Sequence, residues 1–470
     1  MAKSENPKKQ EKKERKETLT TVKGMRDIIG DEHHKYQGFF EKAAEVALYY
    51  GFQPIEVPML EKEDVFLSTQ SDDTDIVNKE MYTLKTKGGD KLALRPEGTA
   101  PVMRAYLEHG MQSQSQPIKL YYYGSFFRHE NPQRGRYREF KSFGMEMIGS
   151  PKSISDATII YLTAMILREV GLENIMIDVN SIGDKESRVP YLRELTGYYR
   201  KHINHLCANC KQRIKTNPLR LLDCKNPECQ PYKEKAPQSI AYLSPAAKIH
   251  FKEVLEYLDA LKLTYRINTT LVRGLDYYTH TVFEITEIPD EKPKEVVAEN
   301  ATQLEATEEE KKARKTKDDK EAAASAPLAL AGGGRYDYLA KRLGSKKDIP
   351  AVGAGIGVDR VLLSPNYKAV APRIVKKPKV YFIQFGFEAK LKALEIIEIL
   401  RNSRIPVIHS LNKDSLGAQL GTAEKLGVPH AIIFGQKEAL DGTVIVRNML
   451  TRSQDTVKIV KLADYIKNIK

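Results

Sequence analysis

Residues 126–146 read FFRHENPQRGRYREFKSFGME. The block closes a long apolar and aromatic run, Lys119–Arg128, and opens another, Lys141–Ile148, with Arg, Pro and Gly between them. Two such runs predict antiparallel strands joined by a charged loop. Arg128 then ends the first strand, Arg134, Arg136 and Arg138 populate the loop, and Phe140 and Glu146 lie on the returning strand. A guanidinium fork at a strand end suits a phosphate, because it donates two parallel hydrogen bonds and keeps its charge. An aromatic ring on the neighbouring strand offers a purine a face to stack on. An ordinary basic hairpin has the same composition, so the surroundings must decide.

Upstream, Asp31 is placed to cap a helix whose apolar positions (Tyr36, Phe39, Phe40, Ala43, Ala44, Ala47) recur at helical spacing until Gly51. Short β-type runs follow at Gln53–Val57, closed by Pro58, and at Lys91–Arg95. Downstream, residues 156–170 read as a helix and residues 185–265 as a mainly helical insert that holds all four cysteines. Strand signals return at Thr269–Val272 and Thr281–Thr286. Residues 287–326 are rich in Glu, Lys and Ala and predict a solvated insert. Gly332–Gly334 restarts the fold, and AVGAGIGVDRVLL (Ala351–Leu363) predicts a strand that ends in glycines and runs into a helix carrying Arg360. Glycines there let backbone approach a ligand closely.

Pro365, Pro372 and Pro378 mark residues 365–378 as a linker. Beyond it, strand and helix patterns alternate: strands Val380–Gln384, 405–408, His430–Phe434 and Thr443–Arg447, helices 388–402 and 416–426, and a terminal helix. This predicts a small α/β domain over residues 379–470. From residue 371 onward there are 17 Lys and Arg against 9 Asp and Glu, so this piece carries +8 of the chain's +13. A compact basic domain is a candidate nucleic-acid module.

At 470 residues the chain is too long for one ordinary core. A net charge of +13 favours polyanionic partners. No stretch approaches the run of about 20 apolar residues that spans a bilayer. The first 17 residues mix Lys and Glu with almost no apolar content and predict a disordered basic tail, not a secretory leader. A cytoplasmic enzyme is expected, its thiols reduced or metal-bound.

Gly51-Phe52 with Pro58, the Phe126–Glu146 block and Ala351–Leu363, in this order, resemble motifs 1, 2 and 3 of class II aminoacyl-tRNA synthetases. LVRGLDYYTHTVFE (Leu271–Glu284) and AGGGRYDYL (Ala331–Leu339) resemble the two peptides that set histidyl-tRNA synthetases apart within that class. RPEGT (Arg95–Thr99) sits where that family holds its amino acid, and the resemblance starts at Gly24-Met25-Arg26-Asp27. It implies an α/β fold: an α+β catalytic domain (residues 18–364) built on an antiparallel sheet flanked by helices, a helical insert, and a C-terminal anticodon-binding domain.

The implied activity joins L-histidine to ATP as histidyl-adenylate, releases pyrophosphate, and transfers histidine to the 3′ end of tRNA(His). No protein nucleophile is needed; the site must position two anions and stabilise charge developing on phosphorus. The resemblance assigns Arg128, Arg273 and Arg360 to the phosphates, with Arg273 also on the substrate carboxylate. Mg²⁺ would bridge phosphate oxygens. Phe140 is expected to stack on adenine, with Glu130 and Arg136 on the nucleotide side. Glu97 and Thr99 are expected at the α-amino group and Glu146 and Tyr278 on the imidazole, with Gly98, Ser142 and Tyr277 also in the histidine site. A homodimer is implied by the motif 1 resemblance alone.

Two positions depart from the family pattern. Ser142 stands where the family usually has Gln, and Asn131 where many bacterial members have Arg. The first puts an amino-acid contact in question, the second a contact to the acceptor end of the tRNA. Cys207, Cys210, Cys224 and Cys229 form two closely spaced pairs that suit a structural Zn²⁺, against the alternative of four free thiols. His202 and His205 are expected at the surface. The alternative to an enzyme is a non-catalytic, synthetase-like regulatory or RNA-binding protein; the presence of Arg128, Arg273 and Arg360 argues against it.

Overall fold

The structure, a computed structural model, describes residues 19–68, 79–288, 329–373, 378–410 and 415–469. The expected basic tail (1–17) and all but the first two residues of the expected 287–326 insert lie outside the described residues. The chain divides into two compact units, Met1–Pro372 and Arg373–Lys470.

The first unit is built on an eight-stranded sheet in the order β1-β5-β6-β11-β10-β9-β7-β8. These strands are β1 (Gln53–Pro54), β5 (Ile118–Phe127), β6 (Glu139–Ile148), β7 (Ile175–Ser181), β8 (Tyr265–Ile267), β9 (Thr279–Glu287), β10 (Ala329–Arg335) and β11 (Ala351–Gly357). Only the edge pairs β1–β5 and β7–β8 are parallel. β2 (Leu60–Lys62), β3 (Thr83–Lys85) and β4 (Lys91–Leu94) form a second, small antiparallel sheet in this unit.

Alternation along the strands sends residues to two faces. Tyr121, Phe143, Met145, Val352, Ala354, Ile356, Phe283 and Ile285 point to one face and join the largest core. Helices α1 (Asp31–Tyr49), α4 (Ser153–Glu169) and α8 (Pro245–Ala260) supply Phe39, Ala43, Ile160, Leu167 and Val254 to that core. The opposite face carries Tyr122, Phe126, Phe140, Ser142, Gly144 and Glu146, set in register against Gly353, Gly355 and Gly357 of β11. A one-residue slip would exchange these two sets, so the buried face fixes which side chains reach the other. Arg335 ties β10 to α4: its Nε donates to both carboxylate oxygens of Asp156 at 3.1 Å.

The other helices of this unit include α2 (Asp64–Leu67), α3 (Thr99–Glu108), α5 (Lys185–Lys201), α6 (Ala208–Thr216) and α7 (Gln230–Glu234). A separate core of Tyr191, Leu195, Tyr199, Leu206, Ile214, Leu221 and three of the cysteines holds the helical insert together.

Several local expectations are corrected. Gly30, not Asp31, is the N-cap residue of α1, and Asp31 opens the helix. Gln53–Val57 pairs over two residues only; the Ile55 N–H still donates to the Tyr121 carbonyl at 2.9 Å, and Pro54 is tolerated because this is an edge strand. Thr269–Val272 forms no strand; it is the loop that follows β8. The insert is narrower than 185–265, since α8 packs its Val254 and Leu258 into the core beneath the main sheet.

The second unit is a five-stranded sheet in the order β13-β12-β14-β15-β16: β12 (Val380–Gln384), β13 (Val407–His409), β14 (His430–Phe434), β15 (Thr443–Asn448) and β16 (Gln454–Lys458). Helices Phe387–Asn402 and Leu462–Asn468 close one face with Ala393, Ile396, Leu400 and Ile466. The helix Gln436–Asp441 and strand β16 had no clear sequence signal; β16 is an exposed edge with only Val457 buried.

Candidate active site

The polar face of the main sheet floors an open cleft of about 200 Å³. Its walls come from the segment after β4, from the β5–β6 loop, from the loop before β9 and from the helix Val358–Leu362. The floor is made flat by glycine. Gly144, Gly355 and Gly332 lie in one cross-strand row, with Tyr122 and Glu284 at its ends. A β-carbon at Gly144 would stand 2.1 Å from the Tyr122 ring, and one at Gly332 would stand 2.4 Å from Arg273 Nη1. The glycines expected to admit a ligand therefore also admit the protein's own Tyr122 and Arg273.

Four sequence-identified arginines, Arg128, Arg136, Arg273 and Arg360, line the cleft, each held by a protein acceptor. Arg128 Nε donates to the Pro96 carbonyl at 2.9 Å, and its guanidinium lies 5.3 Å from the Phe140 ring centre. Arg273 Nη1 donates to Glu284 at 2.8 Å. Arg360 donates through Nε to the Gly135 carbonyl at 3.1 Å and through Nη1 to the Ala329 carbonyl at 2.8 Å. Burial, and then the charges of Arg136 and Arg128, lower the pKa of Arg360 from its ordinary value. A cluster of like charges in a half-enclosed cleft is poised for a polyanion. Glu130 moderates it, 3.3 Å from Arg136 and 3.9 Å from Arg128.

Arg134 and Arg138 do not line the cleft. Arg134 is exposed, and Arg138 turns away to the Lys23 and Glu130 carbonyls. Asn131 is exposed in the same loop. Ser142 borders the cleft, but its hydroxyl donates to the Ile356 carbonyl at 3.1 Å.

At the other end of the floor is a nest of carboxylates and hydroxyls. Glu97 caps α3, accepting from the N–H groups of Thr99 (2.6 Å) and Ala100 (3.0 Å), and also accepts from Tyr277 OH at 3.3 Å. Burial raises the Glu97 pKa despite these bonds. Gly98 and Thr99 line the cleft beside it. Glu146 is fully buried just behind the wall. Its Oε1 accepts from Thr99 at 2.8 Å and Tyr122 at 3.0 Å, and its Oε2 from Tyr336. Three hydroxyl donors hold its pKa down, yet burial outweighs them and pushes it up to about 8. Burial pushes Tyr278 up to about 12, so its phenol stays a hydrogen-bond donor.

The sequence reading missed Tyr122, Tyr336, Glu284 and Asp359. Tyr122 was reachable: it lies an even number of residues before Phe126 and Arg128 on one strand, so it shares their face. Asp359 accepts from the Lys141 N–H and from Tyr36 OH, both at 2.6 Å, and so locks β6 to α1 and to the helix bearing Arg360.

The four cysteine sulfurs lie within 4.8 Å of one another. His205 stacks on Tyr232 and His202 lies tilted against the same ring, both outside that cluster. Among the described residues no helix is long and apolar enough to cross a membrane.

Comparison with known proteins agrees with this geometry. Residues 24–184 match a histidyl-tRNA synthetase family model, and residues 379–469 match an anticodon binding domain model. The chain is 37% identical over 445 residues to a histidine–tRNA ligase of Dehalococcoides mccartyi, spanning 95% of this chain and 98% of that protein. It is 38% identical over 450 residues to that of Caldicellulosiruptor saccharolyticus, spanning 96% and 99%. The apo crystal structure of Staphylococcus aureus histidyl-tRNA synthetase superposes with a TM-score of 0.73 at 28% identity, covering 96% of this chain and all of that one. A cleft with anchored arginines at one end and a carboxylate–hydroxyl nest at the other, carried on this sheet, thus belongs to a chain of the histidine–tRNA ligase family.

Proposed function

We propose that this protein activates L-histidine with ATP and esterifies it to the 3′ end of tRNA(His), with both small substrates held in the cleft. The observation that carries the reading is three anchored arginines facing one space: Arg128 and Arg273 are each fixed by one protein acceptor and Arg360 by two. The histidine carboxylate attacks the α-phosphorus and pyrophosphate leaves. Arg128 and Arg273 meet the charge that develops there, and Arg360 holds the distal phosphates. Fixing each fork beforehand avoids reorganisation during the step.

Phe140 offers adenine its ring, a place where Arg128 now rests, with Glu130 and Arg136 on the same side. Glu130 and Glu284 provide the hard oxygen donors that Mg²⁺ takes, and both line the cleft. The ion's contribution is to neutralise phosphate oxygens. At the other end Glu97 and Thr99 receive the α-amino group. Tyr277 and Tyr278 border the imidazole, and Glu146, which has three of about four acceptor sites filled, retains capacity for one ring N–H. Apolar amino acids would leave this nest unpaired and are rejected for that reason.

The second unit, with its +8 charge, is read as the module that holds the anticodon arm of the tRNA. A homodimer and a cytoplasmic location complete the proposal, as does one structural Zn²⁺ on the four cysteines.

Histidine-dependent exchange of pyrophosphate into ATP tests the reading. The wild-type chain is expected to support it. A folded Arg273→Ala variant is expected to lose about 2–4 kcal/mol of barrier lowering, the scale of one charged transition-state donor. Exchange at the wild-type rate in that variant would remove Arg273 from the mechanism.

A further inference from the structure

Four thiols meet in the helical insert. Cys207 is the N-cap of α6, Cys210 lies in its first turn, Cys224 follows the turn Pro218–Asp223, and Cys229 ends the turn Pro227–Cys229. All four are free of disulfides, and Cys207 and Cys224 stand 3.9 Å apart, sulfur to sulfur. A Zn²⁺ with four thiolates at about 2.3 Å has sulfurs about 3.8 Å apart. The Cys207 N–H also donates to Cys229 Sγ at 3.4 Å, so the first and last of the four are in direct contact. The apolar core around them is small, and such subdomains commonly need a staple.

The same insert grips the loop that carries Arg273. Asn217 Nδ2 donates to Asp276 Oδ1 at 2.6 Å. Arg188 of α5 donates to the Tyr278 carbonyl at 3.3 Å. Val272 packs against the insert's core and also against the core under the cleft. A β-carbon at Gly274 would lie 3.2 Å from Arg220 Nη1. Contacts at 272, 274, 276 and 278 therefore bracket Arg273, and two of their partners, Asn217 and Arg220, lie between Cys210 and Cys224. That is the segment a metal on the four cysteines would close.

We propose that Zn²⁺ on Cys207, Cys210, Cys224 and Cys229 positions Arg273 for adenylate formation by holding the 211–223 segment against the Arg273 loop. The proposal rests on the zinc reading of the four cysteines and adds a consequence to it. The ion never touches substrate; it acts through Asn217, Asp276 and Val272. Loss of the ion frees the segment, and Arg273 keeps its charge but not its aim.

The test uses the full-length protein, with zinc measured by elemental analysis and adenylate formation followed in single turnovers. About one zinc per chain is expected. Stripping the ion is expected to slow adenylate formation about tenfold while the burst amplitude per chain, which counts intact sites, is unchanged, since small misplacements of a positioned group cost this much or more. Added Zn²⁺ restores the rate. Asn217→Ala, which leaves all four ligands in place, is expected to keep its zinc and show the same slow step. A protein isolated metal-free with four titratable thiols overturns the zinc reading and the proposal with it. One zinc per chain, with Asn217→Ala reacting at the wild-type rate, overturns the positioning role and leaves the zinc reading standing. Should stripping lower the burst amplitude, the Asn217→Ala rate alone decides.

Discussion

Gly353 and Glu146 are direct cross-strand partners, and a β-carbon at position 353 would lie 1.6 Å from Glu146 Oε2 and 2.8 Å from the Met145 carbonyl. Glu146 cannot swing aside to make room, because Thr99, Tyr122 and Tyr336 hold its carboxylate from three directions. Two residues along the same strand, a β-carbon at Gly355 meets nothing nearer than Ser142 Oγ at 3.6 Å, an ordinary contact.

The two glycines should therefore answer differently to one methyl group. Gly353→Ala is expected to destabilise the chain by about 2–3 kcal/mol, the scale of overpacking a rigid site. Gly355→Ala is expected to stay within about 0.5 kcal/mol in stability. It should still slow pyrophosphate exchange, because its methyl would rise from the cleft floor. Urea midpoints of the two variants measure the first effect. Equal destabilisation would show that the Glu146 nest yields, contrary to its three hydrogen bonds.

A second prediction concerns the basic unit. Among the described residues the cores under the main sheet draw on none beyond Val370, and the second unit has its own cores around Phe382 and Tyr381. Removing residues 373–470 should leave pyrophosphate exchange within about twofold, since no proposed phosphate or histidine contact lies there. Charging of tRNA should fall by on the order of 100-fold, as loss of a cationic module removes phosphate contacts. If the truncated chain charges tRNA as the full chain does, the surplus of positive charge serves something else.

The strands on either side of Phe126–Glu146 were legible because their apolar runs are long and their turn is rich in Arg, Pro and Gly. Family resemblance singled out Arg128, Arg273 and Arg360, and all three line one cleft. Tyr336 was not, since nothing local tells a core tyrosine from one whose hydroxyl reaches a buried carboxylate on another strand. The limits of the helical insert were also hidden. α8 has the same amphipathic character as the insert's helices, and only its packing under the main sheet separates them. Arg134 and Arg138 look equivalent to Arg136 in sequence, yet the turn of the loop sends only Arg136 to the cleft.

The final prediction is a pH dependence. Burial raises the Glu146 carboxyl from its ordinary value of 4.5 to about 8. Between those two values the folded chain keeps a proton that the unfolded chain has released. Stability assigned to this group is thus fully present below about pH 4.5 and is lost as pH rises through about 8, at about 1.4 kcal/mol per pH unit between them. Glu146→Gln removes the titration while preserving shape. The difference in unfolding free energy, wild type minus variant, should therefore fall steadily from pH 5 to 8, with other groups cancelling in the subtraction. Saturating L-histidine should flatten the slope, because an imidazole N–H donated to Glu146 favours its carboxylate form. A difference that stays level from pH 5 to 8 without histidine would mean that the three hydroxyl donors, not burial, set the charge of Glu146. A slope that histidine leaves untouched would separate Glu146 from the imidazole and leave Tyr277 and Tyr278 as its remaining proposed neighbours.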